Sequence, residues 1–217
     1  MEDWCKQSKP IDNLEVEICF LLQKDFFVGD PHDPEQLNDE KFRESLSLPE
    51  IEREAEMLVR TSEVEDDEPA LVEYYKEIAD RAKRLHRTLN DVRQYFWCGL
   101  WLFNEAEGVR VSFPLHGTLE QIKKLLSDFR NTESGVVVHI RDHGWEMQVV
   151  TDGDYIYIKE CDPDEDEVWL NIRVERGSFL NGIQQLQVRM QNIIKRLCDE
   201  LGEELCSEYF ETIEFNP

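Results

Sequence analysis

Eight apolar residues, Leu71, Tyr75, Ile78, Ala82, Leu85, Leu89, Val92 and Phe96, recur at alternating spacings of four and three. A seven-residue apolar repeat puts all eight on one stripe of an α-helix about seven turns long. Such a stripe cannot stay in water, so the helix needs a partner. The preceding segment carries Ile51, Ala55 and Leu58 at helical spacing after Pro49. The pattern therefore predicts a long N-terminal helical hairpin over about 35–96, joined by the acidic connector "TSEVEDDEP" (61–69). Its terminal proline suits the first turn of the second helix. Self-association through the helix 71–96, giving a homodimer, is the competing expectation. In that case aspartate at Leu85 and Leu89 would dissociate it.

Outside this stripe the periods change. "LEVEICFLL" (14–22) reads as a strand entering a core, and "GDPHDPEQLND" (29–39) as a loop. "FWCGLWLF" (96–103) and "GVRVSF" (108–113) read as a strand pair, followed by an amphipathic helix over 118–129 with a capping box at Thr118 and Gln121. Residues 136–140, 145–151, 155–159 and 167–174 alternate as four strands. "RDHG" and "DG" (152–153) are their first two turns, the latter a strong hairpin signal. A last helix begins near Ser178, carries Ile183, Leu186, Met190, Ile193, Leu197 and Leu201 on one face, and ends at Gly202. The fold class is α+β: a single domain over 1–217 in which an antiparallel meander packs with helices, the meander and its closing helix spanning about 131–206.

Charge narrows the function classes. The 217 residues include 48 acidic and 24 basic side chains, a net charge of −24. Residues 1–68 carry net −14 and 131–217 net −12, around a middle segment of +2. Direct nucleic-acid binding needs clustered Lys and Arg and is not expected. The basic run "RAKRLHR" (81–87) is explained by pairing with Glu77 and Asp80, four residues before Arg81 and Arg84. No stretch has the length of a membrane span, and the six scattered cysteines without a C-x-x-C pair point to reduced thiols in a cytoplasm.

The densest acidic stretch is "ECDPDEDEVW" (160–169), read as the hairpin loop between the last two strands. Asp162, Asp164 and Asp166 imitate an EF-hand. However, Glu167 stands where that loop needs glycine, and Arg173 where it needs the bidentate glutamate. No metal or cofactor is implied. His139 and His143 lack the helix and the glutamate of a zinc protease motif, and His116 reads as structural. Tyr155, Tyr157, Trp169 and Arg173 fall opposite the aliphatic row of Ile156, Ile158, Val168, Leu170, Ile172 and Val174. Either the helical hairpin covers that face, or the aromatics form the centre of an interface. The partner-binding candidates are accordingly Tyr155, Tyr157, Asp162, Asp164, Glu165, Asp166 and Trp169.

"GWEMQVVTDGDYIYIKE" with "EVWLNIRVERGSFLNGIQQLQVRMQNIIKRLCDELG" (within 144–202) resembles the small acidic immunity proteins of bacterial polymorphic toxin systems. These tend to pair a short meander with a closing helix. The resemblance implies a cytosolic, non-enzymatic inhibitor of a basic protein, often a nuclease-type toxin domain, with carboxylates placed where substrate phosphates would sit. The rival expectations are an enzyme built on clustered carboxylates and a divalent metal, and an adaptor assembling through the heptad helix. The chain lacks G-x-S-x-G, Walker and G-x-G-x-x-G motifs.

Overall fold

The computed structural model describes residues 3–113, 117 and 119–210. Among the described residues eleven strands run in chain order: β1 Lys9–Ile11, β2 Glu15–Leu21, β3 Asp25–Phe27, β4 Arg43–Ser45, β5 Leu58–Arg60, β6 Cys98–Asn104, β7 Val109–Ser112, β8 Ser134–Asp142, β9 Trp145–Asp152, β10 Tyr155–Asp162 and β11 Glu167–Glu175. The helices are α1 Asp3–Lys6, α2 Pro34–Leu37, α3 Thr61–Val64, α4 Glu68–Arg84, α5 Leu89–Val92, α6 Leu119–Asn131, α7 Arg176–Leu201 and α8 Glu203–Leu205. The protein is mixed α and β with antiparallel sheets, as the periods predict. No described helix is long and apolar enough to cross a membrane. The capping box at Thr118 and the structural reading of His116 lie outside the described residues.

The described residues gather into two compact units, one drawn from 1–16, 101–112 and 121–185, the other from 17–100, 113–120 and 186–217. The first holds a five-stranded sheet of order β1-β11-β10-β9-β8. Its three hairpins follow the expected meander, with Gly144 (φ +67°) and Gly153 (φ +59°) taking left-handed positions that a Cβ disfavours. One sheet face is apolar, with Met147, Val149, Ile156, Ile158, Ile172 and Val174 buried. Phe129 of α6 meets Phe179 of α7 at 5.0 Å in the same core. The meander does not end at β11: β1 pairs parallel to it, Lys9 beside Ile172 and Ile11 beside Val174.

In the second unit the expected helical hairpin does not form. Residues 50–60 are not helical. Arg53 donates to the carbonyls of Pro49 (2.5 Å), Ile51 (3.1 Å) and Glu56 (3.0 Å), so the acceptors a helical ladder would use are already engaged. Leu58, Val59 and Arg60 pair with β2 as β5. The long helix also stops early. α4 ends at Arg84, where His86 turns to φ +52°. The His86 amide donates to the Lys83 carbonyl (3.2 Å) and the Arg87 amide to the Ala82 carbonyl (2.9 Å). That pair of bonds is a Schellman cap, built here around histidine instead of glycine. The chain restarts at Thr88, whose side chain and that of Asp91 form a reciprocal capping box for α5.

The apolar repeat nevertheless does its work. Leu71, Tyr75, Ile78, Ala82, Val92 and Phe96 are all buried within this unit. Tyr75 stacks on Phe96 at 5.0 Å and Phe96 on Tyr209 at 4.2 Å, an arrangement a straight helix would not allow for residues of one stripe. Arg81, from the basic run, pairs with Glu77 at 2.5 Å. The same unit also buries a charge: Glu17 on β2 accepts from the Thr61 hydroxyl and from Arg189 of α7 at 2.6 Å. Cys198 and Cys206 form a disulfide, whereas Cys5, Cys19, Cys98 and Cys161 are free and buried. The sequence expectation of six reduced thiols is corrected for that one pair, which the turn at Gly202 brings together.

Candidate functional site

The six carboxylates of 160–167 look equivalent in the sequence, but strand geometry sorts them into three kinds. Side chains alternate across a strand, so Glu160 shares the core side with Ile156 and Ile158. Its register partners are Met147 on β9 and Leu170 on β11. Burial alone pushes its carboxyl up to about 7. Asp162 is spent on the turn: its Oδ1 accepts the amides of Asp164 (2.8 Å) and Glu165 (3.2 Å). That Asx-type turn is completed by Asp166 at φ +55°. Asp164, Glu165, Asp166 and Glu167 remain, all exposed at the tip and base of the hairpin.

Beside them the ladder is irregular. Glu160 pairs with Leu170 and Cys161 with Val168, so Trp169 is an extra residue on β11. A bulge of this kind re-aims side chains. Val168 (53% exposed) and Trp169 (49%) both lie open to solvent next to the acidic tip. The expectation that Val168 continues the buried aliphatic row fails for this reason: the bulge at Trp169 sets Val168 out of phase with Leu170, Ile172 and Val174.

The remaining aromatics are elsewhere. Tyr155 begins β10 and Asp162 ends it, about 23 Å apart at about 3.3 Å per residue. Tyr155 is exposed, while Tyr157 is 5% exposed. Trp4 of α1 meets the Tyr157 ring edge-on at 6.4 Å, Arg173 donates to the Ser8 carbonyl (2.5 Å), and Asn171 donates to the Trp4 carbonyl (3.1 Å). The cover on this part of the face is thus the N-terminal segment, not a helical hairpin. The seven candidate residues fall into two places: Asp162, Asp164, Glu165, Asp166 and Trp169 at one end of the sheet, Tyr155 and Tyr157 at the other.

The neighbouring turn, at Gly144, adds to the acidic end. Arg141 on β8 reaches Asp164 at 3.7 Å, and His139 meets Glu146 at 2.8 Å. The His139 hydrogen bond holds the Glu146 carboxyl below its usual range. Sequence reasoning gives no role to Arg141 or to the His139–Glu146 hydrogen bond. The hairpin register, which puts Arg141 opposite Glu146, is the signal that could have found them. Among the described residues no three of His, Cys, Asp and Glu converge as a metal site.

The second unit contains an open groove of 920 Å³ lined by Glu44, Glu73, Glu77 and Asp80 as well as by Lys76, Arg81 and Arg84. Its charges are largely paired: Lys76 with Glu73 (3.2 Å), Arg81 with Glu77 and Glu44, and Arg84 with Glu44 (3.3 Å). Compared with protein-family models, curated proteins and solved structures, the chain matches none of them.

Proposed function

We propose that this protein is a non-enzymatic acidic binding protein that neutralises a basic protein, in the manner of an immunity protein, through the β10–β11 end of its five-stranded sheet. The observation that carries the reading is the open pair Val168 and Trp169 flanked by the outward carboxylates of Asp164, Glu165, Asp166 and Glu167. A large apolar side chain beside outward charge has the composition of an interface centre with a charged rim. The carboxylates would speed encounter with a cationic surface, and burial of the indole would slow release. Tyr155 and Tyr157, at the far end, drop out of this contact surface.

The test is quantitative affinity enrichment from cells of the source organism at low and high salt. Three baits are compared: the native chain, Trp169→Ala, and the triple change Asp164→Asn, Glu165→Gln, Asp166→Asn. A basic protein held by the native chain should be lost from both variants, and from the native chain as salt rises. Coexpression should then rescue growth from that protein's toxicity. The reading fails if the variants retain the same proteins at the same salt.

A further inference from the structure

Strand β8 is the outer strand of the five-stranded sheet. Among the described residues no strand pairs with its free edge. It is nine residues long, and Ser134, Gly135, Val136, His139, Arg141 and Asp142 are exposed. The opposite edge is only three residues and contains Pro10, which has no amide hydrogen to offer. A free edge presents alternate N–H and C=O groups outward, a template for another extended chain. Natural edges are usually blunted by lysine, proline or a bulge. β8 has one such device: Val136 and Val138 pair with Val150 and Val149, leaving Val137 as an extra residue. Beyond that bulge, Val138–Asp142 stays in unbroken register with β9 and carries neither lysine nor proline. Its one cation, Arg141, leans on Asp164, which places the acidic hairpin at the C-terminal end of the open edge.

We infer that the Val138–Asp142 edge takes up an extended segment of the basic partner as a sixth strand, with cationic residues beyond Asp142 meeting Asp164, Glu165 and Asp166. This deepens the proposed function and rests on it. Backbone pairing supplies the hold and charge the direction, as in strand-addition recognition generally. A second copy of this chain fits the edge poorly. Two molecules of net −24 repel. In an antiparallel β8–β8 pair the acidic hairpin of one copy would also face the Glu133 end of the other, like charge against like.

The probe is a labelled peptide, acetyl-TVTVTKKK-amide, titrated by fluorescence anisotropy at low salt. Its twin has the same sequence, with methyl groups on two adjacent central backbone nitrogens, which point to opposite edges. The twin keeps the charge and loses the pairing. The expected result is that the twin binds at least about tenfold more weakly. Amide exchange over 138–142 should slow only with the unmethylated peptide. The Asp164→Asn, Glu165→Gln, Asp166→Asn variant should weaken the unmethylated peptide by about tenfold as well. Equal binding of the two peptides overturns strand addition while leaving the acidic contact intact. Undiminished binding by the triple variant overturns the acidic contact itself. Failure of both peptides to bind, or a concentration-dependent dimer whose 138–142 amides are protected without peptide, overturns the inference outright.

Discussion

Replacing Glu160 by glutamine should stabilise the protein at alkaline pH and leave it nearly unchanged at acid pH. In the folded chain the carboxyl sits on the core side of β10 and is pushed from 4.5 to about 7 by burial alone. The sign follows from proton binding. Well below 4.5 the carboxyl is protonated in both folded and unfolded states, and burial exacts no charge penalty. Between 4.5 and about 7 the unfolded chain releases the proton while the folded chain holds it, so stability falls as pH rises. Above about 7 the folded state carries a poorly solvated charge, and the penalty is constant. At 1.36 kcal/mol per pKa unit the ceiling is about 3.4 kcal/mol. Because Glu160 is half-buried, residual hydration lowers this to about 1–3 kcal/mol. Urea unfolding of native and Glu160→Gln protein from pH 5 to pH 8 reads the difference directly. The variant should gain about 1–3 kcal/mol at pH 8, and most of the gain should vanish at pH 5. A gain independent of pH, or a loss at pH 8, would refute the assignment of Glu160 to the core side.

Three further outcomes follow from an ion pair, a disulfide and a helix cap. Arg189→Met leaves Glu17 buried without its cation and should cost about 3–5 kcal/mol, much of it recovered by adding Glu17→Gln, as urea unfolding of the single and double variants would show. The Cys198–Cys206 bond closes a short ring, so Cys198→Ser should cost about 2–3 kcal/mol by chain entropy. Intact mass after N-ethylmaleimide in denaturant should show four adducts before reduction and six after, and six at the outset would contradict the pairing. His86→Gly should raise stability by up to about 1 kcal/mol, since the left-handed cap strains a side chain with a Cβ. A loss in thermal unfolding would contradict the cap.

What the sequence shows well is structure fixed within a few residues. The meander is legible because alternation and the glycines at 144 and 153 act locally, and α7 because its period runs unbroken to Gly202. The break in the long helix is not legible in the stripe, since burial of a stripe and continuity of a helix are separate properties. Six of the eight residues from Leu71 to Phe96 satisfy the first on two helices and a 3₁₀ turn, and the cap between the helices uses histidine where glycine would have marked it. The Thr88–Asp91 capping box is the one local sign of the restart. The parallel addition of β1 to β11 joins residues more than 150 positions apart, and no local pattern encodes it.

The acidic stretch shows why a charge count alone misplaces a site. Parity along β10 assigns Glu160 to the core with Ile156 and Ile158, and the same strand length carries Tyr155 away from the acidic tip. Both deductions need only strand boundaries. The bulge at Trp169 needs the register of both strands, because an extra residue reverses the expected facing of everything beyond it. That reversal turns Val168 from a core residue into half of an exposed apolar pair. The proposed contact surface therefore depends on one irregular residue. Deleting Trp169 removes the bulge and the indole, while regular alternation keeps Val168 opposite Cys161 on the outer face; partner binding should be abolished while all of the carboxylates remain. Loss of binding at unchanged net charge would separate a shaped interface from a merely acidic one, and retained binding would show that charge alone suffices.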